Sequence, residues 1–140
     1  MSARILAFLL LFGSCGLAQA VEWFTLIGDK NDPAVDTAQL DSSTLVRKGD
    51  RLMLRFRVNL AQARKLDGGE VYQSYVSHIT VDCASQSVFH DSQERFPEPF
   101  WQGESRTETF VQPKPMAFGG LSPDPKRRIL NAACGPRSRH

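Results

Sequence analysis

The sequence predicts a small α+β domain: an antiparallel sheet with one C-terminal helix packed on it and tied to it by a disulfide. Three observations carry that prediction. "RLMLRFRV" (Arg51 to Val58) alternates apolar and polar residues with a period of two, the pattern of a half-buried strand. "KRRILNAAC" near the C-terminus has helical composition, with Ile129, Leu130, Ala133 and Cys134 forming one apolar stripe. Two cysteines, Cys83 and Cys134, remain once the N-terminal leader is set aside.

The leader is the first element. Met1 to Arg4 is short and positive, an apolar run of about ten residues follows, and "AQA" stands at Ala18 to Ala20. This reads as a secretory signal peptide over residues 1–20, with a mature domain over 21–140. The apolar run is too short for a bilayer, which needs about 20 residues. "LFGSC", ending at Cys15, offers an alternative, a lipoprotein box with a lipid-anchored cysteine. The well-formed A-x-A site favours cleavage after Ala20. Either route exports the chain to the periplasm or the outer-membrane surface.

In an oxidising compartment an even pair of cysteines reads as one disulfide. Cys83 and Cys134 lie 51 positions apart, so the bridge closes a long loop and stabilises by about 4 kcal/mol. The formal net charge of the chain is +2, and loss of Arg4 with the leader lowers it by one. A near-neutral exported domain is not a general nucleic-acid binder.

The strands follow in order. "EWFTLIG" and "VDTAQLD" are the first two, separated by the polar turn "DKNDP". "RKGD" turns into the Arg51 strand, which is expected to end at Leu60. "AQARKLDGG" is expected to be a connection, with a helical turn over Gln62 to Leu66. "VYQSYVSHITVDC" is a long strand with Val71, Tyr75, Ile79, Val81 and Cys83 on the core face, and Ser74, His78, Thr80 and Asp82 on the other. "SVFH" and "RTETFVQ" complete about six strands. Ser122 is the expected N-cap of the helix, with Pro123 at its first position, and Gly135-Pro136 the stop. A helix on one face of an antiparallel sheet is an ordinary two-layer arrangement.

The mature chain resembles the surface-adhesin protein E-like domains of Gram-negative bacteria. The likeness rests on "EWFTLIG", "LDSSTLVRKGDRLMLRFRV", "ITVDC" and "NAACG". Trp23, Asp41, Gly49, Asp82, Cys83, Ala133 and Cys134 stand at the matching positions. Between Phe89 and Ser122 the usual Met-Gly-x-Gly hairpin is replaced by "FPEPFWQGES", with Gly103 alone in place. The resemblance implies a six-stranded antiparallel sheet with a C-terminal helix and one disulfide. It also implies adhesion to host extracellular-matrix proteins.

The chemistry-bearing residues point to binding and not to catalysis. Ser77 and His78 are adjacent and face opposite ways in a strand, so they cannot act as nucleophile and base. His78 and Asp82 share a wet face. No paired carboxylates, metal-ligand spacing or cofactor motif is present, so no catalytic residue, metal or cofactor is expected.

Two basic sets remain. Arg51, Arg55 and Arg57 share one strand face; they are either the soluble side of a two-layer sheet, the favoured reading, or an anion site. Lys126, Arg127 and Arg128 sit in the first helical turn, where cations oppose the helix dipole at about 0.3–1 kcal/mol each. Helix stability does not explain them, which suggests acidic neighbours or a partner. Phe100 and Trp101 in the aromatic loop either anchor a protein partner or cover the core. The leading expectation is an exported, non-enzymatic, adhesin-like binding module for matrix proteins or anionic glycans. The alternative is a periplasmic structural or assembly protein that meets other envelope components. A free sheet edge would also permit a homodimer.

Overall fold

The computed structural model describes residue 16, residues 21–118 and residues 120–135. The expected signal peptide, the lipoprotein box at Cys15 and the tail beyond Gly135 lie outside the described residues. Six strands form one antiparallel meander in chain order. They are β1 (Trp23–Ile27), β2 (Thr37–Lys48), β3 (Arg51–Lys65), β4 (Val71–Asp82), β5 (Ser87–Phe96) and β6 (Arg106–Pro115). A single helix, α1 (Lys126–Cys134), follows.

The period-two pattern of β3 resolves as expected. Leu52, Leu54, Phe56 and Val58 are buried, while Met53, Arg55 and Arg57 between them are half-buried. The buried set meets Ile79 and Val81 of β4, Ala38 and Leu40 of β2, and Ile129, Leu130 and Ala133 of α1. Each large apolar side chain removed from water there stabilises by about 1.5–3 kcal/mol. Phe118 and Leu121, in the segment before the helix, close the same core, with Phe118 edge-on to Phe56 at 6.4 Å. The Cys83–Cys134 disulfide forms and joins the end of α1 to the end of β4.

Three local readings are corrected. Gln62 to Leu66 forms no helical turn: β3 continues to Lys65, and Arg64 and Lys65 pair with Tyr72 and Val71. Residues 60–63 stand opposite Gln73 alone, a bulge that lets Leu60 bury while the strand runs on. The helix N-cap is Pro125 and not Ser122. Asp124 supplies the polar partner instead, its Oδ1 accepting from the Lys126 N–H at 2.8 Å. Finally, "RTETFVQ" extends through Lys114 and Pro115, which rejoin β5 after residues 110–113 bulge opposite Asp91.

The fold has one consequence for the site. The helix and the segment before it cover one face of the sheet. Among the described residues no helix or second sheet covers the other face, which carries Arg51, Met53, Arg55 and Arg57 of β3.

Candidate binding face

On the open face the register aligns β1, β2 and β3 so that their polar side chains meet. Trp23 pairs with Asp41, which pairs with Arg55; Thr25 pairs with Gln39, which pairs with Arg57. Two of the three arginines are neutralised inside the protein. Arg55 donates to the Asp41 carboxylate from Nε and Nη2, at 3.1 and 2.6 Å. Asp41 has no exposed side-chain surface. Burial pushes its carboxyl up, but hydrogen bonds from the Ser43 hydroxyl and backbone N–H and from Arg55 outweigh that and hold it below the ordinary carboxylate range. Arg51 lies 3.4 Å from Asp82 with 69% of its side chain exposed, so that ion pair contributes little.

Arg57 is different. Its guanidinium lies 4.1 Å from the centre of the Trp23 ring and 3.9 Å from that of Trp101. It is held between two indoles, each such contact being worth about 0.5–2 kcal/mol. Its Nε donates to Gln39 Oε1 at 2.8 Å, and Gln39 Nε2 donates on to Thr25 Oγ1 at 3.0 Å. Neither Nη forms a hydrogen bond or ion pair among the described residues. Burial, then the Arg55 charge, push its pKa down to about 10, with Asp41 opposing. It stays charged at neutral pH.

Trp101 reaches Arg57 because the aromatic loop is folded back over the open face. Phe100 and Trp101 both adopt left-handed backbone, with φ of 54° and 60°. For non-glycine residues this costs about 1–2 kcal/mol each. Hydrogen bonds from the sheet hold the conformation. The Phe100 N–H donates to Asn59 Oδ1 at 2.7 Å, and the Trp101 N–H to Ser74 Oγ at 2.9 Å. Ser74 Oγ in turn donates to the Glu98 carbonyl at 2.7 Å, and the indole N–H reaches the Tyr75 carbonyl at 3.2 Å. Gly103 closes the loop with φ of 91°; a side chain there would meet Pro97 Cγ at 2.7 Å. The strain is thus concentrated on the residue that stacks on Arg57. Beyond Arg55 the same face opens into a groove of about 340 Å³ lined by Thr44, Val46, Met53, His78 and Asp91.

The predicted site residues therefore divide. Arg51, Arg55, Arg57 and Trp101 share the open face, and Phe100 packs edge-on to Trp101 at 6.3 Å. Lys126, Arg127 and Arg128 belong to the helix on the covered face and are not brought to this site. Two of them have partners outside the helix, one on β1 and one in the turn between β4 and β5. Arg128 Nη1 donates to the Leu26 carbonyl at 2.9 Å, and Arg127 Nη1 to Gln86 Oε1 at 3.2 Å. Those bonds, not acidic neighbours, answer for Arg127 and Arg128; the Lys126 ammonium has no partner among the described residues.

Sequence reasoning missed Trp23, Gln39 and Asp41 as site residues. Period-two alternation in "EWFTLIG" and "VDTAQLD" was the available signal, but it cannot supply the register between strands. A Ser–His contact was also missed. Ser77 does not meet His78, yet its Oγ lies 3.1 Å from His90 Nδ1. Burial, then the Lys114 charge, push the His90 pKa down to about 4. Ser77 is fully buried and His90 half-buried, so the contact ties β4 to β5 beneath the surface. Among the described residues no group of His, Cys, Asp and Glu is placed to hold a metal ion, and no helix is long and apolar enough to cross a membrane.

No curated protein sequence matches the chain. Two structures of Haemophilus influenzae protein E are similar. Crystal form II gives a TM-score of 0.49 at 14% identity, covering 69% of this chain and 79% of that one. The other gives a TM-score of 0.47 at 13% identity, covering 83% and 89%. Protein E from non-typeable Haemophilus influenzae gives 0.46 at 16% identity, covering 79% and 71%. The sequence profile described as surface-adhesin protein E matches residues 23–135, from the first sandwiching tryptophan to the glycine after the disulfide. The chain belongs to the surface-adhesin protein E family.

Proposed function

We propose that this protein is an exported, adhesin-like binding module of the Gram-negative cell envelope, mature from Val21, that holds its partner on the open face of the sheet. The partner is a host extracellular-matrix protein or an anionic glycan, and no reaction is catalysed. The observation that carries the reading is Arg57: a charged guanidinium fixed between Trp23 and Trp101, with both Nη groups unused among the described residues. Its family membership supports adhesion at the cell surface.

Matrix-coated surfaces probed with the purified protein test this. Binding should weaken as salt rises from low to physiological, and Arg57→Gln should lower it at least tenfold. Binding indifferent to that substitution would remove the open face from the account.

The second reading is a periplasmic structural or assembly role. It is favoured by apolar surface away from Arg57, where Phe24, 61% exposed, and Leu45 line a groove with Ala132 and Ala133. Protease shaving separates the two. Loss of the protein from intact cells supports the adhesin; protection until lysis supports the periplasmic role.

A further inference from the structure

We propose that the slot between Trp23 and Trp101 receives a single planar carboxylate carried by an acidic pyranose sugar. This rests on the open-face reading and narrows it.

Charge is the first argument. A face with three arginines suggests a polyanion site, but Asp41 and Asp82 neutralise Arg55 and Arg51. Of these three arginines Arg57 alone has no acidic partner among the described residues, and it calls for one negative group. Shape is the second. The Trp23 and Trp101 ring centres lie 4.1 and 3.9 Å from the Arg57 guanidinium carbon, and Nε is committed to Gln39. With the indoles beside the guanidinium and Nε in use, the two Nη groups are the donors left for a ligand. A carboxylate fits that fork with two parallel hydrogen bonds. A sulfate or phosphate carries oxygens out of the plane, toward the indole rims.

Preorganisation is the third argument. The stack and the Gln39 bond already immobilise Arg57, so little side-chain entropy is lost on binding. The paired left-handed residues Phe100 and Trp101 are conformational strain whose visible product is the second wall of this slot.

The carrier follows from the surroundings. Peptides that dock on sheets usually add a strand to a free edge, and β3 is interior, bonded along both sides to β2 and β4. Of the slot residues only Trp23 stands on an edge strand, β1, and Arg57 lies two strands in from it. Both flanking indoles are half-buried rather than sealed, and such ring surface suits the C–H face of a pyranose whose carboxylate enters the slot.

The test is titration of the purified protein with glucuronic acid, followed by tryptophan fluorescence and calorimetry. Glucuronic acid should change the emission. Its methyl ester and glucose 6-sulfate should each bind at least tenfold more weakly. Arg57→Lys keeps a cation between the indoles but loses the fork, and should also weaken binding at least tenfold with an unchanged near-ultraviolet circular dichroism spectrum. Raising salt from 20 to 200 mM should cost about tenfold or less, the signature of one ion pair rather than many. No binding of glucuronic acid, equal binding of the ester or the sulfate, or tighter binding of a Glu-containing peptide would overturn the proposal. Matrix binding measured in parallel separates the two readings. If Arg57→Gln abolishes matrix binding that glucuronic acid cannot compete, the sugar proposal fails and the open face stands. If Arg57→Gln leaves matrix binding intact, both fail.

Discussion

The two faces of the sheet use arginine in opposite ways. On the covered face, Arg128 donates to the Leu26 carbonyl and Arg127 to Gln86, so both guanidiniums hold the helix onto strands and turns. On the open face, Arg55 is satisfied by buried Asp41, while Arg57 stands between two indoles with its outer edge uncommitted. Position in a sequence pattern does not tell a structural cation from a functional one. What tells them apart is what the fold gives each guanidinium. Arg127 and Arg128 are each tied by Nη1 to the body of the domain, whereas both Nη groups of Arg57 are unused among the described residues.

The largest effect that would break this division comes from the disulfide. Cys83→Ser with Cys134→Ser removes a constraint on a long loop and should cost about 4 kcal/mol, roughly 15 °C in melting temperature for a domain of this size. Binding measured well below the new midpoint should be unchanged. If it falls with the fold intact, the faces are not independent.

Asp41→Asn comes next. It leaves Arg55 part-buried without its counter-charge. Breaking a fully buried pair costs about 3–5 kcal/mol, and the exposure of Arg55 brings the expected loss to about 2–3 kcal/mol, read from urea unfolding.

A pH series sharpens the covered face. The folded pKa of His90 is about 4, below the ordinary value of 6.5. Between those values the unfolded chain takes up a proton that the folded chain refuses. Stability therefore falls as pH drops from about 6.5 to about 4, by about 3 kcal/mol in total. His90→Gln should flatten that part of the profile. An unchanged slope would mean that other groups cause it.

The smallest expected change in stability is at Ser74→Ala. It loses the hydrogen bonds to the Trp101 N–H and the Glu98 carbonyl, about 1 kcal/mol. It should nonetheless shift tryptophan emission and weaken binding, because Trp101 is freed to leave Arg57. Wild-type emission and affinity in this variant would show that the loop does not depend on its hydrogen bonds to the sheet.

Much of the fold was legible. Alternation in "RLMLRFRV" separated Leu52, Leu54, Phe56 and Val58 from Arg51, Arg55 and Arg57, and the structure keeps that separation. The cysteines and the Ile129–Leu130–Ala133 stripe placed the helix on the sheet. The misses share a cause. "AQARK" has helical composition, yet pairing with Val71 and Tyr72 holds its end in β3; tertiary contacts override local preference. His90 meets Ser77 only because Asp91 bulges out of register between His78 and Ile79, which turns His90 to the core side. The Trp23–Arg57–Trp101 stack needs the register of three strands and the left-handed backbone of a loop. Each is a long-range fact that no local pattern contains.

The most direct test of the division compares matrix binding of Arg57→Gln with that of Lys126→Gln/Arg127→Gln, each beside its melting temperature. The account predicts that Arg57→Gln loses at least tenfold in affinity while its melting temperature falls by a few degrees. The helix variant should bind like the wild type. Binding lost with Lys126 and Arg127 but kept without Arg57 would contradict the account and move the site to the helix.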